Sequence, residues 1–270
     1  QPRRVEAGLV FQPEGVLEAL FDRLSAKGTL LLTGPSGVGK SARAWSLVRQ
    51  VPFVVWYRID RLHAGDAAAI ARFVAAMRPS GQAPVGLIFD QLSAGASTEF
   101  EELRSRLVRF RHIYLLATLR NEDLATVLSA HEVAIAAVEL DEGTAQGIFA
   151  SLQVRGLAVR SSWRDAFEQS DGLTLEFVHI LTQGRRLTEV IDAQVNERLI
   201  DPRRANEISI LALVCQADAW GVTMRGTALQ NRLHLDDGEM RQATARLARE
   251  HLIADPAEGR LRGLHPLRSK

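Results

Sequence analysis

Leu30-Leu31-Leu32-Thr33-Gly34-Pro35-Ser36-Gly37-Val38-Gly39-Lys40-Ser41 joins an apolar run to a glycine-rich loop, and the loop to a helical stretch that opens at the lysine. Residues 34–41 fit G-x-x-x-x-G-K-[ST] in the setting that pattern requires, after a strand and before a helix. The chemistry follows from the residue types. Glycines let successive backbone N–H groups wrap an anion, and the helix N-terminus adds positive potential. Lys40 is placed to reach β- and γ-phosphates, and Ser41 to offer a hydroxyl to Mg2+. Gly34, Pro35, Ser36, Gly37, Val38, Gly39, Lys40, Ser41 and the adjoining Ala42 are therefore candidate binders of ATP or a related nucleoside triphosphate.

Around this loop, short β-branched or apolar runs alternate with longer helical stretches, the pattern of a parallel sheet covered by helices. Strands are predicted at Thr29–Thr33, 53–58, 85–90, Ile113–Thr118 and 133–139, with helices at Lys40–Gln50, 66–77, 98–110 and 122–130. After Leu140 the strands stop, and amphipathic segments at 142–152, 163–168, 173–183 and 188–200 predict a helical lid. Asp201-Pro202 marks a boundary, because proline disfavours helix in the residue before it. Three more helices are expected between Ala205 and Glu250. A hairpin of 252–254 and 260–263 should follow, turning through Asp255-Pro256-Ala257-Glu258-Gly259. The expected architecture is α/β: a P-loop parallel sheet over 1–140, a helical lid over 141–200 and a winged helix over 201–270.

Composition narrows the function classes. The chain has 270 residues, 46% hydrophobic and 24% charged, in the range of an ordinary globular protein. Lys and Arg total 33 against 32 Asp and Glu, a formal charge of +1, so no global field draws it to nucleic acid or an anionic membrane. Lysine occurs only at Lys27, Lys40 and Lys270, which makes the lysine in the loop conspicuous. The single cysteine, Cys215, lies in an apolar setting and predicts a buried side chain in a reducing, cytoplasmic compartment. The longest apolar runs, such as 67–77, are too short to span a bilayer. The chain starts at Gln1 and stops at Lys270 just after an apparent motif, which reads as a fragment of a longer protein.

Val85-Gly86-Leu87-Ile88-Phe89-Asp90 is a second candidate element, a buried strand that delivers one carboxylate at its carboxyl end to hold Mg2+. Ser41 and Asp90 form the expected metal site. Gln91 stands where many P-loop ATPases place a carboxylate; a glutamine orients water but takes no proton from it at neutral pH, so at most slow hydrolysis is expected. Ile113–Thr118 leads to Leu119-Arg120, whose guanidinium reads either as a sensor of the γ-phosphate or as a solvated loop arginine. In Leu264-His265-Pro266-Leu267, the histidine taken alone reads more readily as structural than as functional.

Together these residues resemble the STAND class of signalling ATPases, AAA+ relatives that include apoptotic and plant-immunity switches and bacterial defence proteins. Residues 34–41 match its Walker A and Asp90 its Walker B, and Thr118-Leu119-Arg120 resembles its sensor-arginine motif. Leu140-Asp141-Glu142-Gly143-Thr144-Ala145 with Ile148-Phe149 is similar to its entry into the lid. Asp171-Gly172-Leu173-Thr174-Leu175 is similar to the G-L-P-L segment against adenine, with Thr174 in the place of proline. Leu264-His265-Pro266-Leu267 resembles the M-H-D-L segment, with Pro266 in the place of aspartate. The resemblance implies catalytic roles for Lys40, Asp90, Gln91 and Arg120, and nucleotide contacts at Gly172 and His265. It also implies an ADP-closed, ATP-open switch that oligomerises when ATP-bound, with an N-terminal effector and a C-terminal sensor outside the fragment, in settings such as antiphage defence. Phe11, in the N-terminal segment, reads as core packing rather than base stacking.

The main alternative is a DNA-handling AAA+ ATPase, which shares a P-loop and a winged helix. Its recognition helix would be 236–250, where Asp236, Asp237, Glu239 and Glu250 oppose Arg241, Arg246 and Arg249, too acidic for a dominant phosphate-binding face. A small-molecule kinase would need an acceptor site and fits the long helical extension poorly. A nucleotide-binding scaffold without turnover remains open through Gln91.

Overall fold

A computed structural model describes residue 5 and residues 10–92, 94–127, 133–220, 222–250, 252–253 and 259–263. The chain forms two compact units, Gln1–Gly184 and Arg185–Lys270.

In the first unit, helix α1 (Val16–Lys27) leads through Gly28 into β1 (Thr29–Thr33), followed by α2 (Lys40–Gln50), β2 (Val55–Ile59), α3 (Asp66–Ala76) and β3 (Val85–Phe89). Then come α4 (Ser97–Leu107), β4 (Ile113–Thr118) and β5 (Ala134–Ala137). The five strands are parallel in the order β2-β3-β4-β1-β5. Strands β1 and β3 are buried at every position, as the interior of a sheet covered on both faces demands, whereas the edge strand β2 is half-buried or exposed throughout.

Alternate residues along each strand feed two separate cores, because side chains of a strand point to opposite faces. Leu31, Leu87, Phe89, Leu115 and Ala117 pack with Val74 of α3 and with Phe100 and Leu103 of α4. Leu30, Leu32, Ile88 and Leu116 pack with Leu20 and Leu24 of α1 and with Ala44 and Leu47 of α2. The result is a sheet between two helical layers.

One expected helix does not form among the described residues. Residues 122–130 were expected to be helical, but among the described residues only a 3-10 turn, Leu124–Thr126, forms there. Asp123 N–H and Leu124 N–H bond back to Arg120 O and Asn121 O, giving tight turns, and Thr126 and Val127 are β-branched residues that weaken a short helix.

Three helices complete the unit: α5 (Glu142–Val154), α6 (Trp163–Gln169) and α7 (Thr174–Gln183). Asp141 caps α5 by accepting from Thr144 N–H at 2.7 Å, and Ser162 caps α6 by accepting from Asp165 N–H at 3.1 Å. Their shared core is Leu140, Ala145, Ala166, Phe177, Ile180 and Leu181. Gly184, at φ 71°, takes the left-handed conformation that ends α7.

The second unit comprises α8 (Leu187–Ile200), α9 (Ala205–Ala219), β6 (Met224–Arg225), α10 (Gly226–Leu233), α11 (Asp237–Arg249) and β7 (Arg260–Leu261). Helix α8, expected to close the lid, belongs to this unit. A capping box between Asp236 and Glu239 starts α11. Ile253 bridges Gly263, the pairing expected of a wing, and β7 also pairs antiparallel with β6, a two-residue strand not expected from sequence. Ile210, Val214, Leu229, Leu247, Ile253 and Leu261 form the core. Cys215, expected to be buried, is half-buried beside it.

Candidate functional site

The strand order brings three carboxyl ends together. β1 runs into the glycine loop, β4, its neighbour, ends at Thr118, and β3, next to β4, delivers Asp90. Pairing sets Leu32 level with Thr118 and Phe89 level with Ala117, so Asp90 and Thr118 leave the sheet side by side. Carboxyl ends of parallel strands are where open α/β sheets place ligands.

Ser41 Oγ donates to Asp90 Oδ1 at 2.6 Å. Thr118 Oγ1, fully buried, donates to the same oxygen at 3.0 Å and accepts from Gln91 N–H at 2.8 Å. Trp45 Nε1 donates to Asp90 Oδ2 at 3.2 Å. Both oxygens of one carboxylate are thus held by residues from α2 and β4. Gln91 is exposed at φ 71°, a left-handed conformation uncommon for a residue with a side chain.

The loop from Gly34 to Gly39 is shaped by its glycines. A Cβ at Gly34 would lie 2.7 Å from Val138 O, so the loop can run this close to β5 only without a side chain there. Gly39, at φ 102°, precedes α2. Lys40 Nζ donates to Gly34 O and Pro35 O, each at 2.7 Å, which folds the side chain over the loop. Burial, and next the Arg120 guanidinium, lower the Lys40 pKa from 10.5 to about 8. Arg120 is half-buried and lies 3.9 Å from Glu122. Nearby Asp123 has a pKa raised by burial, against the pull of Arg120.

A parallel sheet in the order 2-3-4-1-5, with a glycine loop and lysine after β1 and a carboxylate after β3, decides the architecture. The first unit has an AAA+-like P-loop NTPase fold. No protein-family profile matches the chain, and no curated protein does. Among solved structures it is similar to a Walker-type ATPase of Pyrococcus abyssi at TM-score 0.46 and 14% identity, covering 96% of this chain and 95% of that one. It is similar also to the Holliday junction branch migration motor RuvB of Thermotoga maritima, at TM-score 0.45 and 15% identity, covering 93% and 91%.

The remaining residues singled out by sequence divide. Lys40, Ser41, Asp90, Gln91 and Arg120 gather around the P-loop. Ser36 and Ala42 are half-buried parts of the loop and of α2, with no side-chain bond of note. Gly172, at φ 73°, forms the turn into α7, but contact with the P-loop falls to the next residues: Thr174 Oγ1 donates to Val38 O at 2.8 Å, and Leu175 N–H to Gly37 O at 2.9 Å. His265 lies outside the described residues.

Three contacts had no signal in the sequence. The Trp45 bond to Asp90 is one. A second is the bond from Arg43 Nε to Gln12 Oε1 at 3.2 Å, which ties the N-terminal segment to α2; burial lowers the Arg43 pKa, offset in part by Asp141. The third is the seat of Phe11 on Gly147 of α5, where a Cβ would fall 2.1 Å from the ring. Phe11 packs against protein here, as a core residue does.

The donor set fits a magnesium nucleotide. One carboxylate and one hydroxyl suit Mg2+, which keeps several waters and relies on phosphate oxygens for the rest of its shell. Among the described residues no group of three or more His, Cys, Asp or Glu is placed to hold a metal, and no helix is long and apolar enough to cross a membrane.

Proposed function

We propose that this chain is the nucleotide-binding switch of a STAND-type signalling protein, in which exchange of ADP for ATP controls oligomerisation and an effector. The observation that carries nucleotide binding is the meeting of Ser41, Thr118 and Asp90 beside the P-loop. Lys40 and the loop amides bind the phosphates, Ser41 and Asp90 hold Mg2+, and Arg120 senses the terminal phosphate by charge. Mg2+, when bound, neutralises charge on the phosphates.

A switch rather than a fast motor is favoured by position 91. Gln91 has no carboxylate to take a proton from water, and its backbone N–H is committed to Thr118. The DNA-handling reading is weakened by α11, because Arg246 pairs with Glu207 at 3.3 Å and Arg241 Nε bonds to Asp237 O at 3.0 Å, both within the unit. The acidic residues at the start of α11 add to that. Oligomerisation and defence rest on the STAND resemblance, and a cytoplasmic location on the single cysteine, Cys215, in its apolar setting.

The test is the nucleotide that co-purifies, released by denaturation and separated by ion exchange, for wild type, Lys40→Ala and His265→Ala. ADP retained by wild type, absent from Lys40→Ala and lost or replaced by ATP in His265→Ala, supports the switch. A wild type that retains nothing and turns ATP over rapidly would overturn it in favour of a DNA-handling ATPase.

A further inference from the structure

Two consecutive peptide units of the P-loop are gripped from the start of α7. Thr174 Oγ1 donates to Val38 O at 2.8 Å and Leu175 N–H donates to Gly37 O at 2.9 Å. No cis peptide bond occurs among the described residues, and in a trans peptide the C=O and N–H of one unit point in opposite directions. Holding the carbonyls of Gly37 and Val38 toward α7 therefore aims the N–H groups of Val38 and Gly39 away from it. Among the described residues no backbone carbonyl accepts from either amide.

We propose that Thr174 and the Leu175 amide are positioning groups for phosphate binding, which set the Val38 and Gly39 amides as anion donors by fixing their peptide planes from behind. The proposal rests on the nucleotide-binding reading above and adds a source for the loop's pre-organisation. A loop whose amides are already aimed loses less freedom when it binds an anion. Thr174 suits this role because its hydroxyl donates while its backbone begins a helix. Gly39 fits beneath it, since a Cβ there would lie 3.8 Å from Thr174 Oγ1 in a backbone conformation that already favours glycine. The consequence is coupling: the anion site is complete only while α7 is seated on the loop, so a signal that lifts α7 loosens nucleotide without touching Lys40, Ser41 or Asp90.

The experiment is calorimetric titration of the nucleotide-stripped chain with ATP and with ADP, in Mg2+, for wild type, Thr174→Val, Thr174→Ser and Leu175→Pro. Valine keeps the shape and removes the hydroxyl, serine restores it, and proline at the second residue of α7 removes one amide donor while disfavouring helix at Thr174, so its affinity is read beside its melting. Thr174→Val and Leu175→Pro are each expected to weaken both nucleotides about fivefold, the size of one net hydrogen bond, with Thr174→Ser close to wild type. Melting without nucleotide should stay near wild type in Thr174→Val. Unchanged affinity in Thr174→Val and Leu175→Pro, or a loss in Thr174→Val that serine does not restore, would overturn the proposal. A wild type that binds neither ATP nor ADP would instead sink the nucleotide-binding reading beneath it.

Discussion

Asp90 Oδ1 accepts from Ser41 Oγ at 2.6 Å, so the loop's own hydroxyl and the carboxylate of β3 are joined directly. With Thr118 and Trp45 also donating, the carboxylate is fully engaged and its orientation is set before any cation arrives. Asp90→Asn keeps the shape and removes the charge. It is expected to cancel most of the tightening of ATP binding that Mg2+ brings, about tenfold to a hundredfold for a charge-assisted contact, while binding in EDTA changes little. Titration with and without Mg2+ measures both; equal Mg2+ dependence in the variant and wild type would remove Asp90 from the metal site.

Lys40 predicts a pH dependence. With a folded pKa of about 8 against 10.5, the unfolded chain binds more protons between those values, so the Lys40 contribution makes stability rise with pH across that window. For phosphate binding the sign reverses, because the charged ammonium is the binding form. ATP affinity should hold level below pH 8 and fall above it, approaching about tenfold per unit in the limit. Calorimetry from pH 6.5 to about 9.5 tests this, and a flat profile would separate Lys40 from the phosphates.

Gln91→Glu places a carboxylate where water would need a base. If the missing base limits turnover, steady-state hydrolysis should rise at least about tenfold, below the full range of general base catalysis because position 91 is left-handed and exposed. Phosphate release reads the rate directly. No rise would place the limit elsewhere, in closure or product release.

Gly147→Ala should destabilise the first unit by about 1–3 kcal/mol, because the new methyl group meets the Phe11 ring. Phe11→Ala removes that clash at the cost of its own packing. In chemical denaturation the double variant should therefore be more stable than the sum of the singles implies.

Arg198 is fully buried in the second unit. It donates to Glu207 Oε2 at 3.1 Å, to Gln194 O at 2.6 Å and to Glu250, while Arg204 joins the same two carboxylates. Burial alone would raise the Glu250 pKa, but hydrogen bonds from Arg198 and Arg204 outweigh it and lower it. Arg198→Ala removes the fully buried one of the cations around Glu207 and leaves Arg204 at 2.8 Å and Arg246 at 3.3 Å, so it should cost about 3 kcal/mol in urea unfolding, the low end for breaking a buried pair. Replacing Arg198 and Glu207 together by Met and Leu should recover much of that loss. Glu250 also stabilises the fold above its unfolded pKa, and that contribution should fade as pH drops through the lower folded value.

Much of the architecture was readable in the chain. β1 and β4 occupy the predicted residues because interior strands of a covered sheet are unbroken apolar runs, a strong local signal. The edge strand β2 begins two residues later than expected, and β6 was missed because two residues carry no periodicity. Among the described residues of the helix expected at 122–130, turns form instead, because backbone bonds after Arg120 favour them over a weak helical preference. Of the candidate site, Lys40, Ser41, Asp90 and Arg120 were singled out in the sequence and lie around the P-loop, because a glycine loop and polar residues just after apolar strands are local signals.

What the sequence by itself determined is the loop, the alternation of strand and helix, and the carboxylate at the end of β3, all written in contiguous residues. Only the tertiary structure decided which partners hold them. Thr118 and Trp45 reach Asp90 because β4 and α2 flank β3 in space, and Thr174 reaches Val38 across 136 residues of chain. Contacts between side chains far apart in sequence leave no periodic trace, because they arise from the path of the backbone and not from the pattern of neighbouring residues.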